Sequence, residues 1–364
     1  MRFIIVGYRD AYFWNEFGTS VRDLQIAEIL SREYEVIFIN RPVSIYERLL
    51  NKRKEKSSYK NYSQKITFID TTSFDFIGPL KGRVWTEKCY GKLLHEVLEK
   101  YTKNYEDKVI VIDFTPLAKI EYFKRQNVSY WYDLIDNFAI HNRFSKAEKK
   151  LVKEKYAYVD KHADLITGVS DKSIMGFTNP NTYVMPNGIY LESKTSVNSS
   201  SIKFEEVCDL GFVGFITDKF DVEFINNLSE KFSIVIWGKF YDEKVMEKLN
   251  KKNIKIAGSF KYSDLPRIMK TFKVGLLPYL EAKSHDESPL KMYEYFKHGL
   301  PCISSMRFEI ESKWFWKYSS VDDLELDNKI KHFIKESGSN EIRESIKGDW
   351  YFDNKIKAIL RKFE

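Results

Sequence analysis

Short apolar runs alternate with helical patterns along the whole chain, and this alternation constrains the fold more than any other feature. RFIIVGY, EVIFIN, KITFID, KVIVIDF and VSYWYDL read as buried strands, and segments 87–101 and 117–126 between them have helical spacing. Residues 146–162 read as a long amphipathic helix. A second series follows residue 207, with CDLGFVGF, FSIVIWG and NIKIAGSF. Strands that are apolar on both faces and separated by helices form parallel sheets with right-handed crossovers. We therefore predict an α/β protein made of two doubly wound units.

A polar, serine-rich stretch separates the two series. Residues 191–206, LESKTSVNSSSIKFEE, have the composition of a linker. A chain of 364 residues is too long for one ordinary core and suits two domains. We place these domains at 1–190 and 207–340, and predict that 341–364 is a helical tail.

Composition narrows the setting of the protein. Apolar residues make up 43% of the chain, which is enough for well-filled cores. The three cysteines lie far apart and lack C-x-x-C spacing, so neither a disulfide framework nor a zinc site is expected. The N-terminus meets charge too early for a signal peptide, and no apolar run is long enough to span a membrane. We expect a cytoplasmic protein.

Positive charge is concentrated in the first half of the chain. Residues 1–191 hold 30 Lys and Arg against 24 Asp and Glu, a difference of +6, whereas residues 192–364 hold 29 against 28, a difference of +1. Segment 51–60, NKRKEKSSYK, is the most basic. This excess fits an anionic membrane surface, with peripheral attachment at the inner face of the plasma membrane, or a polyanionic acceptor. Solubility alone is an equal alternative, and no nucleic-acid motif is present.

The stretch 274–305 contains the most specific pattern. It reads as a strand, a polar loop, a short helix and a second strand, and Ser288 is the expected N-cap of the helix. Pro289 follows at a position where its missing N–H costs little, and Leu290 comes next. Lys291 adds a positive charge to a helix N-terminus, and Glu294 lies one turn further on. A nucleoside diphosphate needs an anion-binding site beside a carboxylate that accepts hydrogen bonds from hydroxyls, and this pattern offers both. An ordinary βαβ unit with solvated side chains is the alternative.

SPLKMYEYFKHGLP resembles the donor-binding signature of GT-B glycosyltransferases, especially family 4-like bacterial enzymes that build surface polysaccharides, including teichuronic-acid and glucuronosyltransferase-like members. The resemblance is strong over about 205–310 and weaker over 1–190. It implies two Rossmann-like domains facing a cleft, with the C-terminal helix crossing back to the first domain. It also implies that Lys291 contacts the donor diphosphate, together with the Ser288–Pro289–Leu290 turn, and that Glu294 binds the ribose.

The same resemblance extends to three other loops of the second half. Gly214 and Lys219 match positions beside the donor phosphates, but Phe215 replaces the arginine of retaining members, which favours an inverting mechanism. The base would sit at Gly258, Phe260 and Tyr262, with an aromatic ring for stacking. The donor sugar would face the loop that carries three polar residues, His285, Asp286 and Glu287.

In the first half, strand ends supply the remaining candidates. Asp136, then Asp133, then His141 are the choices for the base that takes the acceptor proton. Gly18 and Thr19 are expected to open the first long helix on the acceptor or phosphate side. Trp14 belongs to an aromatic loop that either contacts the acceptor or packs locally.

These residues predict a glycosyltransferase that moves a sugar from a nucleoside diphosphate, with UDP favoured, to a hydroxyl of a lipid-linked or polymeric glycan. No D-x-D motif in strand context occurs, so we expect no metal and no cofactor beyond the nucleotide sugar. A GT-B-fold nucleotide-sugar epimerase or hydrolase is one alternative. A non-catalytic module that binds a nucleotide sugar is the other.

Overall fold

A computed structural model describes residues 1–50, 65–70, 72–73, 84–102, 107–118, 126–141, 143–192, 206–249, 252–284, 288–319 and 325–364. The basic segment 51–60, most of the predicted linker and most of the predicted helix at 117–126 lie outside these residues. So do the donor-sugar candidates His285, Asp286 and Glu287. Their roles stay predictions.

The chain divides into two compact units. The first contains the described residues of Met1–Pro186 together with the C-terminal segment Ala358–Glu364. The second contains Asn187–Glu192 and the described residues between 206 and 357. None of the described helices has the length and apolar character needed to cross a membrane.

The first unit is built on a parallel sheet. Its described strands are β1 (Arg2–Val6), β2 (Glu35–Ile39), β4 (Ile66–Ile69), β6 (Val109–Asp113), β7 (Val128–Leu134), β8 (Leu165–Gly168) and β9 (Thr182–Val184), with a separate parallel pair β3 (Val43–Ser44) and β5 (Thr72–Ser73). The strands of the larger sheet lie in the order β4-β2-β1-β6-β7-β8-β9. The order therefore reverses between β1 and β6, the point where ligands of such sheets bind.

Helices cover the sheet of the first unit. They are α1 (Ala11–Phe17), α2 (Arg22–Ser31), α3 (Ile45–Leu49), α4 (Val84–Thr102), α5 (Lys146–His162) and α6 (Asp171–Ile174). Leu94 and Leu98 of α4 pack on the core residues of β1, β2 and β6, and each such buried side chain contributes about 1.5–3 kcal/mol. α5 begins where predicted, because Ser145 and Glu148 form a reciprocal capping box.

The second unit has a parallel sheet of the same plan. Its described strands are β10 (Cys208–Val213), β11 (Ile234–Trp237), β12 (Ile254–Gly258), β13 (Phe272–Leu277), β14 (Cys302–Ser304) and β15 (Phe315–Lys317). Their order is β12-β11-β10-β13-β14-β15, so this sheet reverses between β10 and β13. Its helices are α7 (Val222–Ser229), α8 (Glu243–Glu247), α9 (Leu265–Ile268), α10 (Leu290–Lys297), α11 (Leu326–Glu336), α12 (Asn340–Glu344) and α13 (Phe352–Leu360). The two doubly wound α/β units confirm the predicted fold class.

The C-terminal residues return to the first unit, as the resemblance implies. The Phe363 ring lies 6.1 Å from the ring of Trp131 in β7, and its carbonyl accepts a hydrogen bond from the Lys108 ammonium. Only Ala358–Glu364 joins the first unit, whereas 341–357 belongs to the second. The returning segment is therefore shorter than the predicted tail.

Candidate functional site

Three neighbouring strands of the second sheet end in glycine. Gly214 follows β10, Gly238 follows β11 and Gly258 closes β12, with φ angles of 125°, 148° and 86°. Residues with side chains rarely adopt such angles. A Cβ added to Gly238 would lie 1.7 Å from the carbonyl oxygen of Gly214, whereas one added to Gly258 would meet no atom within 4 Å. The carboxyl edge of this sheet is thus backbone that a ligand can approach closely.

The ammonium of Lys291 lies at the first of these turns. A Cβ on Gly214 would be 3.0 Å from Lys291 Nζ, and the Nζ donates to the hydroxyl of Tyr279 at 2.6 Å. Lys219 Nζ is 5.5 Å from the centroid of the same Tyr279 ring. The structure therefore brings together three predicted phosphate residues, Gly214, Lys219 and Lys291. Tyr279 is not among the residues predicted from the sequence, although its place just after β13, where the strand order reverses, is a usable signal.

The start of α10 differs from the prediction for Ser288. The N-cap position is Pro289, and no side chain caps the helix. Ser288 instead donates its hydroxyl to Glu309 Oε1 at 2.5 Å and accepts from the backbone N–H of Asn187 at 3.0 Å. Its oxygen accepts from Asn187 instead of from an N–H of the first turn of α10, so it does not cap the helix. Any anion held here would meet the Leu290 end of the helix rather than the Ser288 hydroxyl.

Glu294 lies one turn behind Lys291 and is 5% exposed. Its Oε1 accepts from the hydroxyl of Tyr262, and Lys297 Nζ lies 3.7 Å from its Oε2. That Oε2 is buried without a hydrogen bond to the described residues. Burial raises the pKa of the Glu294 carboxyl. A buried acceptor with hydrogen-bonding capacity left over is a place for a ligand hydroxyl.

The two candidate stacking rings have different environments. Tyr262 is buried, its hydroxyl is bound to Glu294 and its ring lies 6.1 Å from that of Tyr190. It therefore does not present an open face for a base, contrary to our expectation. Phe260 is half-buried, with its ring 6.5 Å from that of Trp237. Phe260 remains the candidate for stacking.

In the first unit, Asp133 lies in a buried ion pair with Arg22. Its carboxylate receives two hydrogen bonds from the Arg22 guanidinium, at 2.7 and 2.9 Å, and one from the Thr167 hydroxyl at 2.6 Å. Both charged side chains are almost fully buried. A buried carboxylate whose oxygens already accept three hydrogen bonds is occupied by the protein itself. The structure therefore favours Asp136 over Asp133, whose role as an alternative base stays a prediction.

Asp136 and His141 lie together in the loop after β7. Asp136 Oδ1 accepts the N–H of Asn137 at 2.7 Å, and its Oδ2 is 3.6 Å from His141 Nε2. His141 Nδ1 accepts from the backbone N–H of Arg143 at 3.1 Å. We infer from this bond that the proton of the neutral ring is on Nε2, facing Asp136. The arrangement leaves Asp136 as the better proton acceptor and gives His141 a supporting place.

The predicted aromatic loop after β1 is in fact helix α1, capped by Asp10. Trp14 is fully buried, with its ring 5.6 Å from that of Phe68, so it belongs to the core. Gly18 has φ 78° and ends α1, and Thr19 is buried. Because α2 begins at Arg22, neither residue opens it. The predicted opening role of Gly18 and Thr19 is therefore wrong, whereas Trp14 follows the local-packing alternative.

Neither a protein-family model nor a curated protein matches the sequence. Solved structures do match. The structure of TarM aligns with a TM-score of 0.58 and 10% identity over 100% of this chain and 98% of that one. WaaG, a glycosyltransferase involved in lipopolysaccharide biosynthesis, aligns at 0.58 and 12%, over 99% and 98%. A variant of Os79 from O. sativa in complex with UDP aligns at 0.53 and 9%, over 100% of both. At such identities the likeness shows the fold: this chain has the GT-B fold.

Proposed function

We propose that this protein is a glycosyltransferase that moves a sugar from a nucleoside diphosphate, with UDP favoured, to a hydroxyl acceptor. The observation that carries the proposal is the Lys291 ammonium at the Gly214 turn, beside the N-terminus of α10 and at the reversal point of the sheet. Anionic ligands of doubly wound sheets bind at such a point. The GT-B fold, shared with glycosyltransferases, adds support.

Departure of the diphosphate is the step that the second unit assists. As the bond from the anomeric carbon to the phosphate oxygen breaks, negative charge grows on the leaving group. Lys291, Lys219 and the N-terminus of α10 offer positive charge to it, and such stabilisation lowers the barrier when it strengthens in the transition state. We propose that this charge replaces a divalent cation and that the enzyme needs no metal. Glu294 Oε2 would accept from the ribose, and Phe260 would stack on the base.

Attack by the acceptor needs a base, and we assign that role to Asp136. It takes the proton of the acceptor hydroxyl while the oxygen bonds to the anomeric carbon. Phe215, whose ring packs 5.1 Å from that of Tyr241, stands where the retaining relatives have arginine. We therefore favour a single displacement with inversion.

The acceptor is proposed to be a lipid-linked or polymeric glycan of a surface polysaccharide. The +6 charge difference of residues 1–191 supports a polyanionic acceptor or peripheral attachment to an anionic membrane. Sedimentation with vesicles of anionic and of neutral lipid tests the second possibility. Binding to neither kind of vesicle would leave the polyanionic acceptor.

Lys291→Met is the direct test of the proposed site. It keeps an apolar stem and removes the charge. The loss of about 2–4 kcal/mol of transition-state stabilisation should lower kcat/KM about 30- to 900-fold. The substrate is found first by a thermal-shift panel of UDP, GDP, CDP and ADP sugars, and sugar transfer is then followed by product analysis. Lys273→Met, at an exposed position of β13, is the matched control. Normal turnover of Lys291→Met would refute the site, and sugar release without any acceptor would indicate a hydrolase.

Glu294→Gln tests the ribose contact. Losing a charged hydrogen-bond acceptor should weaken nucleotide binding by about 1.5–3 kcal/mol, measured by calorimetry. The effect should vanish for a 2′,3′-dideoxy nucleotide, which lacks the hydroxyls concerned. Because burial raises the pKa of Glu294, wild-type affinity should also begin to fall at a higher pH than for an ordinary carboxylate as the solution is acidified. Equal losses for the two nucleotides would contradict the ribose role.

A further inference from the structure

Tyr279 contacts both lysines of the proposed phosphate site. Its hydroxyl accepts from Lys291 Nζ at 2.6 Å. Its ring centroid lies 5.2 Å from Lys291 Nζ and 5.5 Å from Lys219 Nζ, within the range of cation–π attraction. Tyr279 is 2% exposed, so a substrate does not contact it directly.

The backbone of Tyr279 is fixed on both sides. Its N–H donates to Ser305 Oγ at 2.9 Å, and its carbonyl accepts from the same hydroxyl at 2.6 Å. It also forms an antiparallel bridge with Phe220, next to Lys219. A ring anchored in this way does not follow the lysines; instead it restricts where their ammonium groups can lie.

Phe212 completes the environment of Lys291. Its ring centroid is 4.5 Å from Lys291 Nζ, and the Phe212 side chain is fully buried in β10. Two aromatic faces and one hydroxyl thus hold the ammonium at the space that Gly214 leaves open. A lysine side chain otherwise loses rotamer freedom when it is ordered by a ligand. Here the ordering is largely complete before any ligand arrives.

We propose that Tyr279 is a positioning residue that preorganises the lysine pair for a diphosphate. This inference rests on the proposed function, because it assumes that Lys291 and Lys219 meet the donor phosphates. An ammonium has three N–H groups, so Lys291 can keep its bond to Tyr279 while it donates to a phosphate oxygen. Tyr279 itself touches no reacting atom and acts through the lysines.

Tyr279→Phe in the full-length chain tests this role, because it keeps the ring and removes the hydroxyl. The Kd for UDP should rise about 2- to 12-fold, because the Lys291 side chain would then have to be ordered when the ligand binds, while uridine should bind as before. The double variant Tyr279→Phe/Lys291→Met should bind UDP no more weakly than Lys291→Met alone. A purely structural tyrosine would give additive losses.

Tyr295→Phe is the matched control. Tyr295 is also buried, and its hydroxyl donates to the backbone carbonyl of Leu276 at 3.1 Å. Its loss should leave UDP affinity unchanged. If Lys291→Met weakens UDP binding and Tyr279→Phe does not, the positioning role is overturned and the proposed function survives. If Lys291→Met itself binds UDP normally, both fail.

A measurement on the unaltered protein gives a further check that needs no variant. Nuclear Overhauser contacts from the Lys291 side chain to the rings of Tyr279 and Phe212 are expected without ligand. Their absence would show that the ammonium is not held in advance, and this too would overturn the proposal.

Discussion

Asp136→Asn is expected to lower kcat by about 10²–10⁴-fold, the usual contribution of a positioned general base. The substitution keeps the shape of the side chain and its bond to the N–H of Asn137, but it removes the charge that accepts the proton. The acid limb of the pH–rate profile should also disappear, because it reports protonation of the base. Steady-state kinetics with the donor and acceptor identified by product analysis measure both effects.

Two companion variants identify the base. His141→Gln should cost far less than Asp136→Asn, because the Nδ1 of the ring is already occupied by the N–H of Arg143. Asp160→Asn, at a carboxylate that accepts hydrogen bonds from Thr178 and Asn179, should leave kcat unchanged. A loss in His141→Gln as large as that in Asp136→Asn would move the assignment to the histidine.

Asp133→Asn is expected to destabilise the first unit by about 3–5 kcal/mol, since it leaves a buried guanidinium without its partner. The Arg22 and Asp133 side chains are 3% and 0% exposed, so water cannot solvate the guanidinium that is left without a counter-charge. Urea denaturation gives the change, and hydrogen exchange of the amides of β7 locates it. Glu35→Gln breaks a pair with Arg2 in which the Glu35 side chain is 45% exposed, and it should cost about 0–1 kcal/mol.

Variants of the Arg22–Asp133 pair also distinguish a structural role of Asp133 from a chemical one. Replacing both members by apolar residues, Arg22→Met with Asp133→Leu, should recover much of the stability lost in Asp133→Asn. If Asp133 has only a structural role, turnover of the double variant should rise with the recovered fraction of folded protein. If the double variant is stable and loses turnover as fully as Asp136→Asn, Asp133 takes part in the chemistry after all.

Much of the fold could be predicted because parallel strands covered on both faces leave an unmistakable pattern. Every side chain of β6 is buried, and in β1 and β2 only the first is not, so each reads as an apolar run. α5 has its predicted bounds because its capping box is local in sequence. The two lysines of the proposed phosphate site were predictable too, since helix start, charge and glycine turn lie close together in the chain or match a known signature.

Tertiary partners explain what the sequence did not reveal. Lys155 lies on an amphipathic helix and reads as a solvated residue, yet it is 1% exposed, and its ammonium binds Asp113 and the carbonyl of Ala118. Burial lowers the pKa of Lys155. Asp133 reads as a strand-end acid, but Arg22 reaches it across 111 positions of sequence. Pairings over such distances have no signal in the spacing of neighbouring residues.

The glycine turns at Gly214 and Gly238 limit how this protein can change. Any side chain at the second would collide with the main chain of the first, so a side chain at Gly238 cannot remodel the floor of the proposed nucleotide site. We expect new donor preference to arise in surrounding loops, such as 259–261, which follow the end of β12. A library aimed at altered sugar-nucleotide use should therefore randomise those loops and leave the glycines untouched.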